Sequence, residues 1–120
     1  MGNAKNVSPS ARPRDILPPM PEKEFTQWLE GVILSASWCT DQGEVTAFCD
    51  MLFAEIEGQT HCVARYDSAH GTPHQDILGI RKGPLEKELF FESSNTEVLQ
   101  YAICDLKSHA ADYICFYRAN

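Results

Sequence analysis

The segment SSNTEVLQYAICDLKSHAADYICFYRAN, from Ser93 to Asn120, constrains this chain more than any other. Ser94 and Glu97 stand at capping-box spacing. In that arrangement each side chain accepts a hydrogen bond from the other residue's backbone N–H, which satisfies two donors that a helix start leaves open. Val98, Leu99, Ala102, Ile103, Leu106, Ala110, Tyr113, Ile114 and Tyr117 then recur at three- and four-residue steps. That spacing lays one apolar stripe along a helix. A single long helix with such a stripe has to bury it, and the rest of the chain must supply the surface.

The rest reads as strands. GVILSASW, VTAFCDMLFAEI, THCVARYDS, HQDIL and PLEKELFF are apolar or β-branched runs, and the turns TDQG, EGQT and GIRKG lie between them. VTAFCDMLFAEI shows little clean alternation, which predicts a central strand covered on both sides. In THCVARYDS a period of two puts His61, Val63, Arg65 and Asp67 on one face, with Cys62, Ala64, Tyr66 and Ser68 on the other. PEKEFTQWLE begins with Pro21 and early acids, and Phe25, Trp28 and Leu29 share a helical face, so a short N-terminal helix is expected, with a strand as the alternative. The fold class predicted is α+β: an antiparallel sheet of about four to five strands with one long C-terminal helix packed across it. Such a sheet has a bare second face, and a homodimer is the simplest way to cover it.

Residues 1–21 hold Pro9, Pro13, Pro18, Pro19 and Pro21 and read as an extended arm, leaving 22–120 as a single α+β domain. Such an arm suits packing along the body or exchange onto a neighbouring copy. Charge divides along the same line. Lys5, Arg12 and Arg14, with no acid before residue 15, give +3, so the remainder carries −10 of the net −7. An acidic body repels phosphate backbones, which disfavours nucleic acid as a partner. No apolar run approaches the roughly 20 residues of a membrane helix, and the N-terminus has no apolar core of a secretory signal. Cys39, Cys49, Cys62, Cys104 and Cys115 are odd in number and contain no CxxC, so they read as buried thiols in a reducing cytoplasm.

The reactive side chains gather in RYDSAHGTPHQD, residues 65 to 76: Arg65, Asp67, His70, His74 and Asp76. Three readings compete for them. A loop could converge His70, His74 and Asp67 or Asp76 on one ion, although Gly71 and Pro73 spoil the helical meaning of the i, i+4 histidine spacing. Two histidines could serve as general base and acid on a phosphodiester, with Arg65 stabilising phosphoryl charge and Asp67 orienting an imidazole. The plainest reading is structural. Asp67 at a strand end bonds backbone donors two residues on, Arg65 pairs with Asp67 or a neighbouring strand, Gly71 supplies a positive φ and Pro73 stiffens the return. No motif specifies a catalytic residue, a dedicated metal site or a cofactor.

The stretch from Val63 to Leu78 resembles a family of small bacterial proteins of unknown function that carry RYD-x-AHG-x-x-H followed by an acidic, apolar strand, and that end in a helix. More distantly it is similar to the TumE-like toxins of toxin–antitoxin pairs, which share an RYD-x-AH strand and turn. The resemblance covers about residues 44–115. It implies a cytoplasmic accessory protein of mobile bacterial DNA, such as prophages, plasmids and gene cassettes. The expectation is a non-enzymatic binding protein acting as a homodimer on a protein or small-molecule partner, with Arg65, Asp67, His70, His74 and Asp76 at its recognition surface. The alternatives are an RNA-directed toxin using His70 and His74, and a small-ligand or metal-binding module.

Overall fold

A computed structural model describes residues 23–120, so the expected arm at 1–21 lies outside the described residues. Six strands come first: β1 (Lys23–Leu29), β2 (Val32–Asp41), β3 (Glu44–Ile56), β4 (Gln59–Asp67), β5 (His74–Gly79) and β6 (Gly83–Leu89). Two helices follow, α1 (Asn95–Ser108) and α2 (Ala110–Ala119). The strands form one antiparallel sheet in which spatial order equals sequence order. Both helices lie on the same face, α1 mainly over β3 and α2 over β4 and β5. None of the described helices is long and apolar enough to cross a membrane.

The two central hairpins turn on the smallest loops available. Asp41 pairs with Glu44 and Ile56 with Gln59, which leaves Gln42–Gly43 and Glu57–Gly58 as two-residue connections. Both residues of each loop have positive φ, between 52° and 83°. That is the type I′ geometry whose twist matches the flanking strands, and glycine at its second position adopts the angle without steric cost.

Three expectations about the fold are corrected. The sheet has six strands rather than four or five, because PEKEFTQWLE supplies a strand and not a short helix. Phe25, Gln27 and Leu29 are half-buried while Glu24, Thr26 and Trp28 are exposed, a period of two that outweighs the helix-start signals. Across the next strand Phe25 meets Ala36 and Leu29 meets Val32, so GVILSA gives this segment a partner that a lone helical turn would lack. The C-terminal helix, in turn, is broken at His109. The His109 backbone N–H still reaches the Asp105 carbonyl, and its ring Nδ1 donates to the Asp105 carboxylate at 2.9 Å. The break is in the backbone: His109 has φ −118° and ψ 26°, outside the α-helical region, while its i, i+4 pair with Asp105 supports the last turn of α1. The break lets α1 and α2 follow different strands of a twisted sheet.

β3 alternates cleanly, against the sequence reading: Phe48, Asp50, Leu52, Ala54 and Ile56 are buried toward the helices. The four apolar residues among them meet Val32, Leu34, Val98, Leu99, Ala102 and Leu106 in one core. Leu34, Leu52 and Leu106 are fully buried; each stabilises by about 1.5–3 kcal/mol relative to exposure. The capping box forms as expected, with Glu97 N–H donating to Ser94 Oγ at 3.1 Å and Ser94 N–H to Glu97 Oε1 at 2.9 Å. Burial of the cysteines holds for Cys39 only in full; Cys49 and Cys62 are half-buried, and Cys104 and Cys115 are exposed.

At its far end α2 closes onto the β5–β6 turn. Ile80 N–H donates to the Tyr117 carbonyl at 3.0 Å and Lys82 N–H to the Asn120 carbonyl at 3.1 Å. The turn thereby satisfies acceptors that a helix end leaves open. Asn120 sits so close to Gly79 that a Cβ there would come within 2.8 Å of the Asn120 Cβ.

Candidate functional site

The quoted stretch builds a strand end, a turn and a returning strand. β4 stops at Asp67, whose Oδ1 accepts the Ala69 N–H at 2.9 Å, the two-residue reach expected of an Asp at a turn. Ala69–Gly71 makes a single 3-10 turn, and Gly71 has φ +93°. Ser68 ties the turn to β3, its Oγ accepting the Phe48 N–H at 3.0 Å. β5 then starts at His74, directly after Pro73, whose carbonyl accepts from Phe90 N–H at 2.9 Å.

Antiparallel return places the reactive residues opposite one another. Arg65 faces Asp76 and Asp67 faces His74, all on the face turned away from the helices. The Arg65 guanidinium donates from Nε and Nη2 to Asp76 Oδ2 at 3.0 and 2.7 Å, and its Nε lies 3.7 Å from Asp67 Oδ2. His74 directs Nε2 at Asp67 Oδ1, 2.9 Å away, with Asp76 Oδ2 at 3.7 Å, while Nδ1 donates to the Thr72 carbonyl at 3.0 Å. Partial burial disfavours the Arg65 charge, but the hydrogen bond and charge of Asp76, with Asp67 adding, outweigh it and raise the guanidinium pKa.

Four of the five residues singled out in the sequence, Arg65, Asp67, His74 and Asp76, therefore come together. The fifth, His70, stands in the 3-10 turn, and its side chain lies outside the described part of the structure. Sequence reasoning missed Lys87, which β6 places across from Asp76, with Nζ 3.7 Å from Asp76 Oδ1. Its signal was the alternation of PLEKELFF, which had no register until β5 and β6 were paired.

The same face carries two continuous cross-strand rows. Thr26, Ser35, Met51, Arg65, Asp76 and Lys87 form one, and Glu24, Ser37, Cys49, Asp67, His74 and Leu89 the next. Trp28, Ile33, Phe53 and Cys62 make a third, apolar row. Burial raises the Cys49 thiol to about 11, and the charges of Asp67 and Asp50 add to it. Cys62 is raised as well, by burial first.

A strict period of two fails within β4. A bulge opposite Leu52 and Phe53 shifts the register, so Cys62 joins the open face and His61 turns to the helices. There the His61 Nδ1 pairs with the Tyr117 hydroxyl at 3.0 Å. The expected grouping of His61 with Arg65 and Asp67 is thus corrected.

A second polar cluster, also missed, joins helices to sheet. Asp105 accepts from the Tyr66 hydroxyl at 2.7 Å, from the Tyr113 hydroxyl and from His109. Gln75 Nε2 donates to the Tyr113 hydroxyl at 2.8 Å. Burial, then hydrogen bonding to Asp105, raises both tyrosines, Tyr113 to about 12. Because these residues are spread from 66 to 113, only tertiary packing assembles them.

The chain matches a domain of unknown function, DUF7718, over residues 20–120 and belongs to that family. No curated protein and no solved structure matches it.

Proposed function

We propose that this family member is a non-enzymatic binding protein that acts as a homodimer through the open face of its sheet. The observation that carries the reading is the make-up of that face. One row presents Trp28, Ile33 and Phe53, and Trp28 is 75% exposed. The neighbouring rows carry the Arg65, Asp67, His74, Asp76 and Lys87 network, in which Arg65 and Lys87 reach solvent over a buried His74 and Asp76, and among the described residues no helix lies over any of them. Apolar anchors beside fixed charges are the composition of a recognition surface. Five gaps of ~4.8 Å and strands about 25–30 Å long give a patch on the order of 700 Å², close to the ~800 Å² each partner gives to a standard interface.

The resemblance over residues 63–78 supports a wider setting for this reading, a cytoplasmic accessory protein of mobile bacterial DNA. It does not favour the toxin alternative for this chain. His74 is buried with Nδ1 held by a backbone carbonyl and Nε2 against Asp67, which suits a fixed strut better than a proton shuttle.

Light scattering over a range of concentrations tests the proposal. Wild type gives twice the mass of one chain, and Phe53→Glu, which puts a charge into the apolar row, gives the mass of one. A wild-type monomer at high concentration ends the homodimer reading. Induced expression in bacteria separates the toxin reading: growth arrest by wild type, relieved by His74→Ala, would move it ahead.

A further inference from the structure

We propose that Asp67, His74 and Asp76 form a binding site for a first-row divalent metal ion, with zinc(II) as the best match. The three offer one nitrogen and two oxygens, and these ligand atoms all lie within 4.8 Å of one another. Two ligands bonded to one zinc ion at about 2.1 Å can stand no more than about 4.2 Å apart. The histidine pairs, 2.9 Å to Asp67 Oδ1 and 3.7 Å to Asp76 Oδ2, already meet that limit. A mixed set of imidazole and carboxylates suits zinc and its neighbours in the first row.

The imidazole supplies an observation independent of the clustering. Its Nδ1–H is taken by the Thr72 carbonyl, a group outside the proposed ligand set. That bond fixes the tautomer with the lone pair on Nε2, the orientation that metal-bound histidines receive from their outer partners. Among the described residues no donor reaches Nε2; the groups in front of it are two carboxylates, which in ionised form only accept. The His74 side chain is 4% exposed, so water is a poor substitute. With Nε2 lying 2.9 Å from Asp67 Oδ1 and 3.7 Å from Asp76 Oδ2, a single cation placed among them would bond all three.

The surroundings accommodate the ion. Arg65 donates two N–H bonds to the same Asp76 Oδ2 and fixes its direction, so an ion bound there shares that oxygen with the guanidinium. Lys87 reaches the other oxygen at only 3.7 Å from a half-exposed, flexible stem, and it can withdraw into water. Three protein ligands leave a further coordination position, and solvent reaches it from the side of Asp67, the most exposed of the three at 17%. The site lies within one chain and does not depend on self-association.

The test starts from full-length chain stripped with EDTA and follows melting temperature as zinc(II) is added. Ligand binding to the folded state raises it by roughly 10 °C at a free ion concentration about a hundred times Kd. Asp67→Asn and His74→Gln, checked for folding by circular dichroism, lose the rise. Cobalt(II) substituted for zinc gives visible bands without a strong thiolate charge-transfer band, since no cysteine takes part. Three results overturn the site: a wild-type melting temperature indifferent to zinc, a rise retained in both variants, or a thiolate-dominated cobalt spectrum. Should His74→Gln not fold, Asp67→Asn decides. Mass measured with and without zinc reports on the homodimer separately.

Discussion

Asp50 and Tyr66 face each other across β3 and β4, both buried beneath the helices, yet no hydrogen bond joins them. The Tyr66 hydroxyl is committed to Asp105, and among the described residues neither oxygen of Asp50 has a partner. Burial alone pushes the Asp50 carboxyl up to about 8. A carboxyl in that position is tolerable as the neutral acid and costly as the anion.

A pH dependence follows. The folded carboxyl holds its proton up to about 8, while the unfolded one releases it near 3.9. Between those values the folded state binds more protons, so stability falls as pH rises and levels off above the folded pKa. At about 1.36 kcal/mol per pKa unit the loss from this group has a ceiling of roughly 6 kcal/mol. Urea unfolding from pH 5 to 9 should show the decline, and Asp50→Asn should flatten it and be the more stable protein at pH 9. Parallel profiles for the two proteins would refute the assignment.

Arg65→Ala removes both donors from Asp76 Oδ2 and leaves a mostly buried carboxylate with distant Lys87 and His74. Arg65 is itself partly exposed, so solvent reduces the worth of the pair. The expected loss is about 2 kcal/mol. A double-mutant cycle with Asp76→Asn should return a coupling of about 1 kcal/mol or more, and additive losses would show that the pair is not coupled.

Ser94→Ala deletes one arm of the capping box at α1. Its expected cost is about 1 kcal/mol, read as a lower urea midpoint at unchanged slope. Ser94→Asp, which retains an acceptor for the Glu97 N–H, should recover most of it. Equal losses in both variants would count against the cap.

Asp105→Ala strips the common acceptor from Tyr66, Tyr113 and His109. The buried Tyr66 and half-buried Tyr113 hydroxyls lose their acceptor, at an expected total of about 2–4 kcal/mol. Because these bonds tie the helix junction to the sheet, amide exchange should speed most at residues 109–119 and least in β2 and β3. Uniform acceleration would argue against a local tie.

Legibility from sequence followed the range of the interactions. The capping box, the apolar stripe and the Gly-bearing turns depend on residues within four positions, and they can be read directly. The Asp67 turn rests on equally short reach, and the partnership of Arg65 with Asp76 spans eleven positions across that one turn. The break at His109 is a departure of the backbone from helical angles inside an unbroken apolar stripe, and β1 depends on a partner strand, so neither pattern was decisive in isolation. Lys87 needed the β5–β6 register, and His61 needed a bulge that no local pattern announces. Asp50 was in plain view at an apolar phase between Phe48 and Leu52, but its environment exists only after α1 has packed.

The sequential order of the strands also sets a course for folding. Every strand pairs with its neighbour in the chain, so the sheet can zip from one hairpin to the next with short loops to close, the circumstance that speeds folding. The return of α1 and α2 across some fifty residues to β3 and β4 is the long-range closure left to make, and closures of that length slow folding. Until it is complete, the side of the sheet that carries Leu34, Leu52 and Asp50 remains wet, and the Asp50 carboxyl crosses from water to core in the last act of assembly.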